Sequence, residues 1–494
     1  MIMNSYRKGI VLSRKWVLGP AGFVAAAALT ASCGSVNAGQ VAHTQAAAGS
    51  KSKVAERLRS TLDGLRFQEV LDTAPPGSQA QARLLDDAFD KEARQTPRAR
   101  TNAAGTKAAA AAEPIVQQPQ IDATVIELNG KGRPVSAGTV LMSPKYKNGV
   151  VVPLDKNLST QDVRWRQWDD KGWYANKGQG TIDVVPGREK APLDHMLAYP
   201  ASVLKLMVNF GVLRLVDRGE VKLDSTYEYK PTEISSLCGG ASAKTVRTYI
   251  DESLTASSNA SSCALIKLLH DHKAVDPLNK TFQDLGLTTL QLKGTNPVNG
   301  GHWGNPVTMS SLDTAKLLAL VNGVPGKAWT APNGRPVTSA VLSPASRRFF
   351  VNELKQQGFN DMLSSVNRCG GAYPAPGLPN AAPSRWIGAD GTVTVAGAKF
   401  GRDVRPCNKK AEVSFAHKTG WVNNSAGDAG IVRALPGKGG RSYVIVVFSN
   451  LGTQYVDANR TATPPGVYPY TYTEKFAKLG RLMDAYEKRR AAGR

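Results

Sequence analysis

Acidic residues are in short supply: 39 Asp and Glu stand against 62 Lys and Arg in 494 residues, a net charge of +23. That imbalance suits anionic surroundings such as nucleic acid, a membrane surface or a polyanionic cell wall. Cysteine is scarcer still. Five in the whole chain exclude a disulfide-dense scaffold and leave an odd thiol to account for. After residue 29 no apolar run approaches the ~18 residues that a membrane-spanning helix needs, so no mature span is expected. No zinc-ligand spacing, phosphate-binding loop or nucleic-acid motif is present, which turns the positive charge toward wall polymer or lipid rather than nucleic acid. Apolar residues at 41% and charged residues at 20% exclude a wholly disordered or collagen-like chain. The length suits one large or two ordinary domains, each able to bury a core.

The N-terminus has the layout of a secretory signal. Arg7, Lys8, Arg14 and Lys15 precede an apolar run at 16–29 that is short for a bilayer, and small residues follow. Residues 13–18 also look like a twin-arginine signal with Lys15 in the second position. Thr30-Ala31-Ser32-Cys33 resembles a bacterial lipobox, with Leu29 four rather than three residues ahead of the cysteine, and would make Cys33 the lipidated first residue. Val36-Asn37-Ala38 is an ordinary cleavage site and gives the secreted alternative. Removing Cys33 leaves Cys238, Cys263, Cys369 and Cys407, an even set for an oxidising compartment. The expected pairing is Cys238 with Cys263 and Cys369 with Cys407, each within one local region. The expected location is exported, anchored at the cell membrane by lipid and facing the wall, or otherwise secreted.

Composition divides the chain into a signal at 1–33, a stalk at 34–118, a folded domain at 119–487 and a basic tail at 488–494. The stalk is rich in Ala, Gln and charge. Leu58, Leu62 and Leu65 mark one amphipathic helix in it, Pro75-Pro76-Gly77 breaks it, a second helical stretch covers 80–94, and 103–112 is of low complexity. A small helical bundle is the alternative reading of this region. In the domain, the alternation at 123–128 predicts a strand and Asn129-Gly130 a hairpin turn. Residues 201–217 are apolar almost all round, as a buried helix is, and Gly219 is placed to end it. Two apolar runs, 431–432 and 443–448, flank a Pro-Gly-Lys-Gly-Gly turn and read as a hairpin. A last amphipathic helix covers 473–486, with Phe476, Leu479 and Met483 on one face. Strands at both ends around a helical middle predict an α+β domain whose first and last elements pair.

Ser202-Val203-Leu204-Lys205 forms an S-x-x-K at the start of the buried helix. Residues i and i+3 share a helix face, so the amine can reach the hydroxyl. A serine is a weak nucleophile until a neighbouring base takes its proton. Ser5/Lys8 and Ser50/Lys53 share the spacing, but neither starts an apolar helix. Ser257-Ser258-Asn259 and Lys418-Thr419-Gly420 then follow in that order.

With these three motifs the chain, from about 119 to 487, resembles the penicillin-recognising serine enzymes, the class A β-lactamases and D-alanyl-D-alanine peptidases. The resemblance implies an antiparallel sheet flanked by helices with an all-helical subdomain. It implies Ser202 as nucleophile, Lys205 as base or relay, and Ser257 as proton shuttle to the leaving nitrogen. Asn259 would hold Lys205 and the substrate amide. Lys418, Thr419 and Gly420 would bind substrate, and the backbone N–H groups of Ser202 and Trp421 would form an oxyanion hole. Substrates would be β-lactams or D-Ala-D-Ala-ended stem peptides, and the chemistry needs neither cofactor nor metal.

Three departures bear on function. Ser258 replaces the usual Asp of S-D-N. The segment 322–411 is an extended insertion. No Asp or Glu lies between Asp284 and Asp313, where class A enzymes carry an Ω-loop glutamate; the stretch holds Gly, Asn and Pro with His302 and Trp303. Acylation without ready deacylation is therefore expected, unless Lys205, Ser257 or an acid from 322–411 activates water. The alternative to an efficient hydrolase is a peptidase-like or non-turning-over penicillin-binding or sensing lipoprotein. His270-Asp271-His272 reads as a helix end rather than a metal site, and His417 as a strand residue facing away from Lys418.

Overall fold

The computed structural model describes residues 52–67, 118–168, 180, 182–369, 376–400, 402–422, 425–452, 454–456, 467–469 and 473–493. The signal with Cys33, the helical stretch at 80–94 and the low-complexity stretch lie outside these residues. Three strands come from the N-terminal side of the domain: β1 (Ile121–Leu128), β2 (Pro134–Met142) and β3 (Val150–Val151). Three come from its C-terminal side: β4 (Val413–Val422), β5 (Ser425–Ala434) and β6 (Ser442–Ser449). They make one antiparallel sheet in the order β4-β5-β6-β1-β2-β3. β1 and β6 pair from Ile121 opposite Ser449 to Leu128 opposite Ser442, so the two ends of the domain meet at the sheet centre. Both strands are buried along almost their whole length, which is why they read as apolar runs. The β1–β2 turn is tied by Asn129 Oδ1, which accepts from the N–H groups of Lys131 and Arg133.

Eight helices are used below: α1 (Lys53–Leu65), α2 (Lys205–Asp217), α3 (Val246–Thr255), α4 (Asn259–Asp271), α5 (Val275–Asp284), α6 (Ser311–Asn322), α7 (Pro344–Lys355) and α8 (Thr473–Ala492). α6 covers one sheet face. Its first residue is pinned there, since Ser311 N and Oγ donate to the Asp122 carboxylate of β1 at 2.6 and 2.5 Å. Burial pushes the Asp122 carboxyl up to about 7, although both Ser311 hydrogen bonds pull it down. α2 is buried on nearly every side. Its Leu206, Phe210 and Leu213 share one core with residues of α3, α4 and α5, and Phe210 stacks on Phe282 at 5.6 Å. Each such side chain contributes roughly 1.5–3 kcal/mol by leaving water. This helical subdomain and the β4 edge of the sheet frame the site.

α1 and α8 cover the other sheet face, and here two expectations are corrected. The helix expected in a stalk belongs to the folded unit. Val54, Leu58, Leu62 and Leu65 pack in one core with Val125 and Val140 of the sheet and Phe476, Leu479 and Met483 of α8. Gly138 permits the contact, because a Cβ there would lie 2.4 Å from Ala55 Cα. Residues 488–492, expected within a basic tail, are structured as well. α8 continues to Ala492, Lys488 pairs with Glu412 at 2.8 Å, and Arg490 pairs with Glu127 and Glu487 at 3.1 and 2.6 Å. Two disulfides join Cys238 to Cys263 and Cys369 to Cys407.

Candidate active site

The S-x-x-K serine sits in a tight 3-10 turn, Ala201–Leu204, that feeds α2. One helical turn on, Lys205 is fully buried and its Nζ lies 2.9 Å from Ser202 Oγ. The same nitrogen donates to the Ser257 carbonyl at 2.6 Å, to Asn259 Oδ1 at 2.8 Å and toward Ser257 Oγ at 3.1 Å. An ammonium has three N–H groups for these four oxygens. Two of the four are carbonyl oxygens that only accept. To act as a base toward Ser202, Lys205 must reach the neutral amine form, in which its lone pair can face the hydroxyl. Asn209 supports this from beneath, donating to Lys205 O at 2.7 Å and to Ser253 Oγ at 3.1 Å.

Local chemistry explains how the second motif reaches Lys205. Ser258 is the N-cap of α4, its side chain accepting from Ser261 N at 3.1 Å. Asp and Ser cap helices equally well, so replacing the Asp of S-D-N keeps this function. Ser257 just before it adopts φ +58°, a left-handed bend that brings both its carbonyl and its hydroxyl to Lys205.

The third motif lies on β4, the edge strand beside that turn. Lys418 Nζ donates to Ser257 Oγ at 2.9 Å and to Thr419 O at 2.8 Å, so Ser257 bridges the two lysines. Burial pushes the Lys418 amine down to about 7, with Asp428 opposing the shift. Gly420 is a steric requirement. A Cβ there would lie 2.7 Å from Pro200 O, Ser202 N and Val203 N. Without one, the strand closes on the nucleophile turn and brings Trp421 next to Ser202. His417 points to the opposite strand face: Nδ1 lies 2.8 Å from Asp428 Oδ1, Nε2 lies 3.1 Å from Asn360 Oδ1, and the ring stacks on Phe415.

A narrow cleft opens on Ser202, lined by Ser202, Ser257 and Thr419 with Phe359, Asp361 and Trp421 among its walls. A larger cavity of about 410 Å³ lies against the Cys369–Cys407 disulfide and contains no motif residue. The motif residues line the smaller one. Two features of the site carry no motif. The Trp303 ring lies 5.6 Å from Lys205 Nζ, its Nε1 donating to Gly300 O at 2.8 Å. Asp361, from the insertion, is buried in the cleft wall. Burial raises its carboxyl pKa, with Arg368 and His417 opposing the rise and Asp428 adding to it. The only sequence signal for Asp361 is that an acid-bearing insertion precedes K-T-G.

A family model described as the β-lactamase enzyme family matches residues 194–463. No curated protein matches the chain. Among solved structures, PBP-A is 19% identical at a TM-score of 0.38, covering 63% of this chain and 86% of its own. A PBP-A variant in an acyl-enzyme complex with penicillin G is 18% identical at 0.37, with 61% and 88% covered. A β-lactamase from Chitinophaga pinensis is 16% identical at 0.39, with 75% and 93% covered.

Proposed function

The chain belongs to the β-lactamase enzyme family, and from that premise we propose that it is an exported serine acyl-enzyme hydrolase acting on β-lactams or on D-Ala-D-Ala-type amides. The observation that carries this reading is Lys205 Nζ at 2.9 Å from Ser202 Oγ, with Ser257 and Asn259 holding the same nitrogen. Lys205 takes the hydroxyl proton as Oγ attacks the amide carbonyl. Ser257, in contact with both lysines, passes that proton to the departing nitrogen. Charge gathering on the carbonyl oxygen is held by the backbone N–H groups of Ser202 and Trp421. Lys418 and Thr419 receive the substrate carboxylate, which restores the ammonium form that burial disfavours. Labelling with a fluorescent penicillin tests this: wild type takes the label and Ser202→Ala does not. A Ser202→Ala protein that labels at the wild-type rate would sink it.

One observation favours a second reading, a penicillin-binding or sensing protein that acylates once. The stretch between Asp284 and Asp313 has no acid, and its Trp303 sits by Lys205 instead. Counting product molecules per Ser202 separates the two: many for a hydrolase, one or none for a sensor. Anchoring through Cys33 is part of the proposal. Labelled palmitate should enter the protein, and Cys33→Ala should release it to the medium. A secreted wild type beginning near residue 39 would favour the soluble form.

A further inference from the structure

The three motifs supply a nucleophile, a base for acylation and a seat for a carboxylate. Apart from Lys205 and Ser257, which acylation already engages, none supplies a base that activates water against the resulting ester, and at neutral pH that water needs a positioned base. The insertion brings a candidate into the cleft. Asp361 lines the same cavity as Ser202, Ser257 and Thr419. Its side chain is only 3% exposed, and Oδ2 is buried with no hydrogen-bond partner among the described residues. A buried carboxyl oxygen is rarely left so, and a water in the cleft that Asp361 lines would supply the donor it lacks.

Asp361 is also held in place from both sides. Upstream, Gln357 Nε2 donates to Leu254 O at 2.9 Å and Gly358 N to Thr255 O at 2.8 Å, fixing the loop to α3. Asn360 Oδ1 meets His417 of β4 and accepts from Asn380 Nδ2 at 2.9 Å. Downstream, Leu363 N donates to Asp428 Oδ2 of β5 at 3.2 Å. A loop clamped to a helix and to two strands presents its carboxyl at a fixed point, as a general base must be presented.

We infer that Asp361 is the general base of deacylation, drawing a proton from a water in the cleft as that water attacks the Ser202 ester. This rests on the acyl-enzyme reading above. The water oxygen bonds to the acyl carbon and its proton goes to the Asp361 carboxylate. Collapse of the tetrahedral intermediate breaks the bond from carbon to Oγ, and the serine recovers the proton that Asp361 carries. One ester and one water become a carboxylic acid and a free serine. The base works only when ionised, and burial favours its neutral form. The groups facing it are Arg368, His417 and Asp428, of which the first two favour ionisation and the last opposes it. Deacylation thus depends on the ionised carboxylate and slows as pH falls through the raised carboxyl pKa.

The test forms the Ser202 adduct with benzylpenicillin, removes excess drug and follows return to the unmodified mass from about pH 4 to about pH 8. Wild-type decay should quicken with pH. Asp361→Asn should acylate within a few-fold of wild type but lose its adduct roughly 10²–10⁴-fold more slowly and without pH dependence, and Asp361→Glu should recover part of the rate. Equal lifetimes in wild type and Asp361→Asn would overturn the inference alone. So would equal losses of acylation and deacylation, which would make Asp361 a shaping residue. A wild-type lifetime flat in pH overturns it without any variant. No wild-type adduct at all would overturn the hydrolase reading and this inference together.

Discussion

Two loops reach the Ser202–Lys205 pair, and they differ in the chemistry they bring to it. The loop ending at Trp303 has no acid and lays an indole by Lys205. Close backbone packing and a few polar contacts seat it: Gly300 sits where a Cβ would be 2.0 Å from Cys263 O, Gly301 where one would be 3.0 Å from Cys238 Sγ, and Tyr229 Oη donates to Asn299 O at 2.9 Å. The loop at 357–363 brings a carboxyl into the cleft and is seated by polar contacts with α3, β4 and β5. On the proposed mechanism, acylation chemistry comes from the motifs and the fate of the acyl group depends on loops that no motif marks. A family motif set can therefore be complete while the turnover it supports differs widely.

The comparison breaks first at the residues both loops serve. Ser202→Ala should abolish covalent labelling, and Lys205→Ala should slow acylation by roughly 10²–10⁴-fold with the fold intact by circular dichroism. Labelling of a threonine or lysine elsewhere in Ser202→Ala would show that the loops surround the wrong nucleophile. Next comes Gly420→Ala, whose Cβ would push β4 off the nucleophile turn. Acylation should fall by about 10²–10³-fold, the range for loss of an oxyanion donor, and stopped-flow acylation rates would show it.

A smaller effect separates charge from shape. Above about pH 7 the Lys418 ammonium of the free enzyme loses its proton. Affinity for a carboxylate-bearing substrate should then fall about tenfold per pH unit, since one protonation is required for binding. A methyl ester of the same substrate should show no such fall; a parallel decline in both would mean that Lys418 does not hold the carboxylate. The smallest effect on catalysis is expected at the first loop. Gly300→Ala combines a backbone clash with φ +75° and should destabilise by about 2–3 kcal/mol in urea unfolding. Acylation should stay within a few-fold of wild type. A large acylation loss at full stability would make that loop part of the acylation machinery.

Much of this was legible in the sequence, for identifiable reasons. Ser202, Lys205, Ser257, Asn259 and Lys418 stand at fixed spacings on helix starts and one edge strand, and the structure brings them within hydrogen-bond reach of one another. The pairing of β1 with β6 followed from apolar runs at both ends of the domain. The docking of α1 was not legible. The leucine spacing revealed a helix, but the partner face is created by Gly138, far along the chain. Asp361 was hidden for a related reason. Its place depends on His417 and Asp428 capturing Asn360 and Leu363, contacts between residues distant in sequence that leave no periodic trace.

The central claim is that motif chemistry acylates Ser202 faster than either loop releases it at neutral pH. Rapid-quench mass spectrometry of the protein mixed with benzylpenicillin at pH 7 tests this directly. The account predicts that most of the protein soon carries one penicillin mass at Ser202 and keeps it while little penicilloate forms. Unmodified protein alongside rapidly accumulating penicilloate would contradict it.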